Sequence, residues 1–413
     1  MGRGSFVTHL ESAIEPGVTL PHTELQTTHA GRPLWVRYDY DAIGDAVSRS
    51  DIARRDPTLW RYRELLPVES DEHIVTLGEG MSPMLSAPRL AKKYGVGRVW
   101  IKDESQLPTG SFKSRGMTMA VSRAKELGAK RLAVPTAGNA GGALAAYAAR
   151  AGLEAFVFMP DDTPEVNQYE ASLYGARAFR VNALIDECGR LVREGRERLG
   201  WFDVSTLREP YRIEGKKTMG LELAEQLGWR LPDAIFYPTG GGTGLIGMWK
   251  AFAELATLGW LEEEKRPRLY ACQSSGCCPI VRAFERGDRH AERFEDAKTI
   301  ASGIRVPAAV GDFMILDAVR ESEGAALATD EAEILPLMRE ASRLTGISIC
   351  PEAAACVGAL ASLAAKGALA DDAEVVIFNT GAAQKYLEAI ATDLPRIDAS
   401  KPVDWDAVVG AAG

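Results

Sequence analysis

Three glycine-rich loops constrain this chain more than any other feature, because each follows a strand-forming run and precedes a helix-forming one. They span residues 108–116, 136–142 and 239–244. From residue 98 onward, β-branched or aromatic runs alternate with alanine-rich stretches. Residues 99–102, 131–134, 155–159, 177–181, 234–237, 268–272 and 374–378 read as strands. Met117, Ala120, Val121, Ala124 and Leu127 mark one apolar helical face closed by Gly128. Residues 143–149, a stretch ending near Tyr174-Gly175, and the alanine-rich tract 353–365 read as further helices. This alternation predicts an α/β protein with mostly parallel sheets covered on both faces. Ligands of such sheets bind beyond the carboxyl ends of the strands, where glycine-rich loops open helices.

The 413 residues exceed one ordinary domain. The first hundred are richer in Pro, His, Tyr and Arg, and residues 33–38 read as an edge strand. The expected division is an N-terminal appendage (1–75), a body (76–400) and a tail (401–413). Within the body, a smaller subdomain of about 105–205 is inserted in a larger one formed by about 76–104 and 206–400. A net charge of −9 argues against nucleic acid or an anionic membrane as partner. No apolar signal core or membrane-spanning run is found, so the cytoplasm is the expected location. The six cysteines are too scattered for a disulfide framework or zinc site and read as reduced, buried thiols.

The chemistry of the loops differs. Lys113 stands at a helix start, where the helix dipole and the nearby cation Arg115 favour the neutral, nucleophilic amine. A solvated surface lysine is the bland reading. In the second loop, Asn139 and the backbone N–H groups around Gly138 can receive a carboxylate, or merely cap a helix. Gly240, Gly241, Gly242, Thr243 and Gly244 allow backbone amides to close on a phosphate, beyond what a turn requires. Gly242, Gly244 and Gly247 also fit a dinucleotide fingerprint, with Glu262 where a ribose-binding acid would stand. That match lies deep in the chain, behind two other candidate loops. The five histidines form no metal motif, and no nucleophile elbow or Walker loop occurs. Near the end, Thr380-Gly381 follows a buried strand, so its hydroxyl reaches the same rim of the sheet or caps a turn.

Taken in order, these segments resemble the threonine synthase family of fold-type-II (tryptophan-synthase-like) pyridoxal-phosphate enzymes, over nearly the whole chain. The resemblance rests on Gly78-Glu79-Gly80-Met81-Ser82-Pro83, Lys102-Asp103-Glu104, the Ser111-Phe112-Lys113 loop, Thr136-Ala137-Gly138-Asn139, Glu214-Gly215-Lys216-Lys217-Thr218, the third loop and Thr380-Gly381. It implies two interwoven parallel-sheet units with pyridoxal 5′-phosphate in the cleft. By the same resemblance, Lys113 is the Schiff-base lysine and proton shuttle, and Asn139 meets the cofactor's 3′-oxygen. Gly240 to Gly244 cradle the cofactor phosphate, and Thr380 faces the pyridine nitrogen. Ser111, Thr136, Ala137 and Ala140 are expected around the substrate, and Arg190 is expected to bind its anionic group. Ser114, Leu184 and Glu209 depart from the family pattern. The segment around Glu11-Ser12 lacks the family's cysteine, so no metal is expected. The implied activity is a carbon–oxygen lyase reaction converting O-phosphohomoserine and water to threonine and phosphate. The implied partners are a small amino-acid substrate and a second copy in a homodimer. A paralogue eliminating or replacing at the β-carbon of another amino acid is the alternative. More distant ones are a nicotinamide-dependent oxidoreductase and a non-catalytic scaffold.

Overall fold

Six strands build the larger sheet of the computed structural model, which describes residues 4–410. Residues 1–3 and 411–413, the outer ends of the expected appendage and tail, lie outside the described residues. The strand order is Ala325–Thr329, Arg268–Ser274, Ala234–Pro238, Glu374–Asn379, Arg98–Asp103 and Met84–Ser86. All pairings are parallel except that of the Met84–Ser86 edge. Every residue of the two central strands, Ala234–Pro238 and Glu374–Asn379, is buried. Covered on both faces, they need apolar residues at nearly every position rather than alternation. A second, four-stranded parallel sheet runs Arg177–Val181, Glu154–Pro160, Arg131–Pro135 and Phe202–Asp203. The seven strands expected from sequence all form. Met84–Ser86, Phe202–Asp203 and Ala325–Thr329 lack long β-branched runs and are strands because their neighbours supply partners.

The N-terminal residues form a separate antiparallel sheet in which Leu34–Tyr38 alternates inward and outward. Its inward face seats Leu34, Val36 and Tyr38 on the main core. Tyr38 Oη donates to Glu214 Oε2 at 2.7 Å, and Lys250 Nζ donates to the Val36 carbonyl at 2.7 Å. The appendage is thereby fixed to the helices behind the cleft.

Three helices cross behind the cleft: Lys113–Glu126, Tyr211–Gln226 and Thr243–Thr257. Glycines permit their approach. A Cβ on Gly215 would lie 1.9 Å from the Arg115 carbonyl oxygen, and one on Gly247 would lie 2.8 Å from the Lys217 nitrogen. The third glycine of the apparent dinucleotide fingerprint is thus a helix-packing residue. Glu262, the would-be ribose acid, instead pairs with Arg49.

Two charge networks fill the helix interface. Arg115 binds Glu104 Oε2 at 2.6 Å and Glu222 Oε1 at 2.6 Å, while Lys102 Nζ donates to Glu222 Oε2 at 3.1 Å. Thr218 and Ser82 complete the guanidinium's partners. Beside it, Lys217 joins Glu214 at 2.7 Å and Glu254 at 2.9 Å, and Lys250 pairs with Glu214 as well. Each network matches two cations with two carboxylates, so burial leaves no net charge. All six cysteines are buried and unpaired, and among the described residues no helix is long and apolar enough to cross a membrane.

Candidate active site

The loops after Arg98–Asp103, Arg131–Pro135, Ala234–Pro238 and Glu374–Asn379 converge where strand topology predicts a ligand site. They surround a cavity of about 330 Å³, within the roughly 300–1,000 Å³ typical of small-molecule sites. Lys113, Asn139, Thr380 and all five residues from Gly240 to Gly244 line it. The first and last loops are stitched together: Phe112 N–H donates to the Thr380 carbonyl at 3.0 Å, and Ala382 N–H to the Gly110 carbonyl at 3.0 Å. Asn379 Nδ2 donates to Asp103 Oδ1 at 2.9 Å, tying the two strand ends. Lys113 and Thr380 therefore share one rigid rim.

Lys113 is the first residue of its helix, and its Nζ lies 3.8 Å from the centre of the Phe112 ring. The side chain remains partly accessible from the cavity, yet protein encloses its nitrogen. Burial lowers its pKa to about 7, and Arg212 adds to the effect while Glu352 opposes it. The cation expected from sequence to do this, Arg115, does not: its charge is consumed by Glu104 and Glu222. Lys216 lies 4.0 Å from the same ring centre and donates to the Phe112 carbonyl. Burial, then Lys113 and Arg212, hold its pKa well below the lysine range. It does not line the cavity, so among the described residues Lys113 alone presents an amine there.

The glycine loop is a fitted cradle. Gly242 has φ +75° and caps the helix Thr243–Thr257. A Cβ on Gly241 would meet Thr206 Cγ2 at 2.6 Å, and one on Gly244 would meet Tyr237 Oη at 1.9 Å. Only glycine brings backbone N–H groups so close beneath the cavity floor, at the positive end of a helix. Four buried polar atoms on the lining residues, Asn139 Oδ1, Glu352 Oε2, Tyr237 Oη and Arg212 Nε, have no partner among the described residues. Such atoms call for a ligand or water. An aldehyde-reactive amine, a phosphate cradle, an open amide oxygen and a hydroxyl in one cavity fit pyridoxal phosphate.

Thr136 Oγ1 donates to the Gly138 carbonyl at 2.7 Å, and Gly138 N–H donates to Thr136 Oγ1 at 3.1 Å, which sets the second loop. Thr136, Ala137, Ala140 and Ser111 do not touch the cavity wall, although Thr136, Ala140 and Ser111 are buried beside it. Arg190 is not brought to the cavity. It faces solvent and pairs along its own helix with Glu187 at 2.8 Å and with Glu194. The periodicity explains the miss: Gly189 and Arg193 face the cavity, and Arg190 lies about 100° round the helix from its neighbour Gly189. Glu209 is turned inward, its carboxylate accepting Tyr211 N–H at 2.7 Å and Arg212 N–H at 3.1 Å. Burial raises its pKa to about 7. Ser114 Oγ donates to the Ser111 carbonyl at 3.0 Å and so braces the Lys113 loop.

Sequence reasoning missed Glu352, Tyr386, Arg212, Arg193 and Arg208, all of which line the cavity. Tyr386 Oη donates to Glu352 Oε1 at 2.7 Å, Asn139 Nδ2 donates to Tyr386 Oη at 3.3 Å, and Gly303 N–H donates to Glu352 Oε1 at 2.8 Å. A lone acid opening an alanine-rich helix was the available signal for Glu352. Thr380 Oγ1 lies 3.8 Å from Cys350 Sγ.

Residues 75–381 match the family described as pyridoxal-phosphate dependent enzyme. The threonine synthase of Methanocaldococcus jannaschii is 34% identical over 375 residues, 90% of this chain and 92% of that protein. That of Methanosarcina acetivorans is 35% identical over 347 residues, 84% of each. Among solved structures, maize serine racemase aligns with a TM-score of 0.63 at 20% identity, covering 80% of this chain and 92% of that one. A serine racemase from Dictyostelium discoideum aligns with a TM-score of 0.59 at 24% identity, covering 73% and 92%. These structures share the fold-type-II α/β architecture expected from sequence.

Proposed function

The chain belongs to the pyridoxal-phosphate dependent enzyme family and, within it, to the threonine synthases, and we propose that it converts O-phospho-L-homoserine and water to L-threonine and phosphate. The observation carrying this reading is the convergence of an uncharged-capable Lys113 with the glycine cradle in one enclosed cavity. Lys113 would hold the cofactor aldehyde, Gly240 to Gly244 its phosphate, Asn139 its ring oxygen and Thr380 its ring nitrogen. The bound cofactor supplies an electron sink that acidifies protons next to the substrate's amino-bearing carbon.

The rest of the chemistry falls to the chain. With a pKa near 7, Lys113 Nζ can accept a proton from a substrate carbon and return one at neutral pH. Its short tether to the stitched rim keeps that nitrogen in place through successive transfers. Thr380 offers a hydroxyl rather than a carboxylate, which does not force the ring nitrogen to stay protonated and suits elimination over transamination. The loop from Thr136 to Ala140, whose Asn139 reaches the cavity, would take the substrate carboxylate on backbone N–H groups. Phe112, Tyr237, Ile304 and Pro307 line the cavity and limit water to what the reaction consumes. Domain limits of 1–75, 76–400 (with 105–205 inserted) and 401–413, a homodimer and the cytoplasm belong to the same reading.

The test measures phosphate release and threonine formation from O-phosphohomoserine and O-phosphoserine in parallel. Threonine from the former is expected. Its absence would remove the substrate assignment, whereas borohydride labelling and peptide mapping test Lys113 independently.

A further inference from the structure

Among the buried atoms that line the cavity, Asn139 Oδ1 is open on an amide whose other end is engaged: Nδ2 donates to Tyr386 Oη at 3.3 Å. An asparagine amide is nearly symmetric in shape, so the hydrogen bonds around it choose which end faces where. That choice belongs to Tyr386, whose hydroxyl can donate its hydrogen to the amide oxygen or accept from the amide nitrogen. Glu352 settles it. Its carboxylate carries acceptors only, and Oε1 receives the Tyr386 hydroxyl at 2.7 Å and the Gly303 N–H at 2.8 Å. With its one hydrogen given to Glu352, Tyr386 can only accept from Asn139. The amide nitrogen therefore turns to Tyr386, and the amide oxygen turns to the cavity.

The relay is built into the scaffold. Glu352, 3% exposed, is the second residue of the helix Pro351–Ala365, where the positive end of the helix dipole favours an anion. A Cβ on Gly303 would lie 2.7 Å from Glu352 Oε1, so glycine is what lets that backbone N–H reach the carboxylate. Tyr386, 2% exposed, keeps its hydrogen: burial and then Glu352 hold its pKa far above the usual phenol value. The last loop closes the nitrogen side of the amide, since a Cβ on Gly381 would come within 3.3 Å of Asn139 Nδ2.

We propose that Glu352 is a positioning residue: through the Tyr386 hydroxyl it turns Asn139 so that the amide oxygen, not the amide nitrogen, meets the ring oxygen of the cofactor. An acceptor in that place favours a ring hydroxyl, which can donate to it, and disfavours a ring phenolate, which cannot. The relay thus keeps a proton on the ring oxygen. That Asn139 faces the ring oxygen rests on the reading above; the direction of the relay does not.

The full chain, stripped of cofactor, is loaded with 4′-deoxypyridoxine 5′-phosphate, which lacks the aldehyde and so cannot join Lys113. Its ring absorbs at longer wavelength as phenolate than as hydroxyl, and the ratio of the two bands in the bound analogue at neutral pH is the readout. The hydroxyl band should dominate in the wild type. Removing the acceptor in Glu352→Ala, or the link in Tyr386→Phe, should lower the hydroxyl-to-phenolate ratio by about 10-fold, the effect of exchanging one hydrogen-bonding partner of a charged group. Glu352→Gln still offers Tyr386 an oxygen and should keep the wild-type ratio. Thermal midpoints of the stripped proteins show which variants are folded, and Tyr386→Phe carries the test should Glu352→Ala not fold. A wild-type complex with the phenolate band alone overturns the relay, as does an unchanged ratio in the folded variants. A Glu352→Gln that behaves like Glu352→Ala overturns it too, since charge rather than the hydrogen bond would then act. Asn139→Ala separates the relay from the site reading: a ratio unmoved there takes Asn139 away from the ring oxygen and removes both. Threonine formation by the wild type is measured apart, so no outcome of the titration bears on the substrate.

Discussion

The helix interface behind Lys113 and the cavity in front of it use the same residue types to opposite effect. Behind, Arg115, Lys102, Lys217 and Lys250 meet Glu104, Glu222, Glu214 and Glu254 one for one. In front, Lys113, Arg193, Arg208 and Arg212 line one cavity, where Asp186 is held by Arg293 and Glu352 leaves one carboxylate oxygen unpartnered. Lys217 has its pKa raised by Glu214 and Glu254, despite burial, although burial still lowers those of Lys102 and Lys250 in the same networks, whereas Lys113 is brought down to about 7. Both are lysines on helices bordering the same site. The difference teaches that scaffold charges are those whose partners are complete, and reactive charges are those left unmatched.

The largest contrast lies between removing a reactive charge and removing a scaffold one. Lys113→Ala should lower kcat by about 10³-fold or more, because proton transfer and cofactor attachment are lost together. Its thermal midpoint without cofactor should not fall, since no ion pair is broken. Assay and differential scanning calorimetry on the same preparation check both halves. Arg115→Met should instead strand two buried carboxylates and cost about 3–5 kcal/mol of stability, read from urea denaturation. Wild-type stability in that variant would collapse the distinction between the two regions.

The pH profile sharpens the comparison further. In the cofactor-free protein the neutral amine is what captures the cofactor aldehyde, so the rate of pyridoxal-phosphate capture should fall tenfold per pH unit once pH drops below about 7. In the cofactor-free protein the folded pKa lies below the usual lysine value of about 10.4, so the unfolded chain binds more protons between them. Stability from this group should therefore rise with pH across that window, and Lys113→Met should flatten the rise. A profile with no acid limb near 7 would mean that Lys113 is not held neutral by its surroundings. The smallest effect belongs to Arg190→Gln. Its pairs with Glu187 and Glu194 are exposed, so stability should change by less than about 0.5 kcal/mol and KM should stay put.

Much of the fold was legible because strands buried on both faces must be largely apolar throughout, and glycine-rich turns must follow them. The runs at 234–237 and 374–378 carry that pattern and lie at the centre of the larger sheet. Short or weakly β-forming strands such as Phe202–Asp203 were not legible, since pairing depends on residues distant in the chain. Of the site, the glycine cradle, Lys113, Asn139 and Thr380 could be read locally, because each sits at a strand end that opens a helix or loop. Arg208 could not. Its place depends on the turn at Leu207 and on a wall supplied by another helix. The family resemblance pointed to Arg190 and not to Arg193, and the helix's docking angle made the first an exposed ion pair and the second a cavity residue.

By itself, the order of strands, glycines and the lysine determined an α/β protein with an amine beside a phosphate cradle, since backbone conformation and helix-end electrostatics are local. Which cations would be neutralised was decided only in three dimensions. A charge's worth depends on the distance and burial of its partners, and Glu222 lies 107 residues from the Arg115 that it silences. Arg212, the cation that acts on Lys113, was brought there by the same packing.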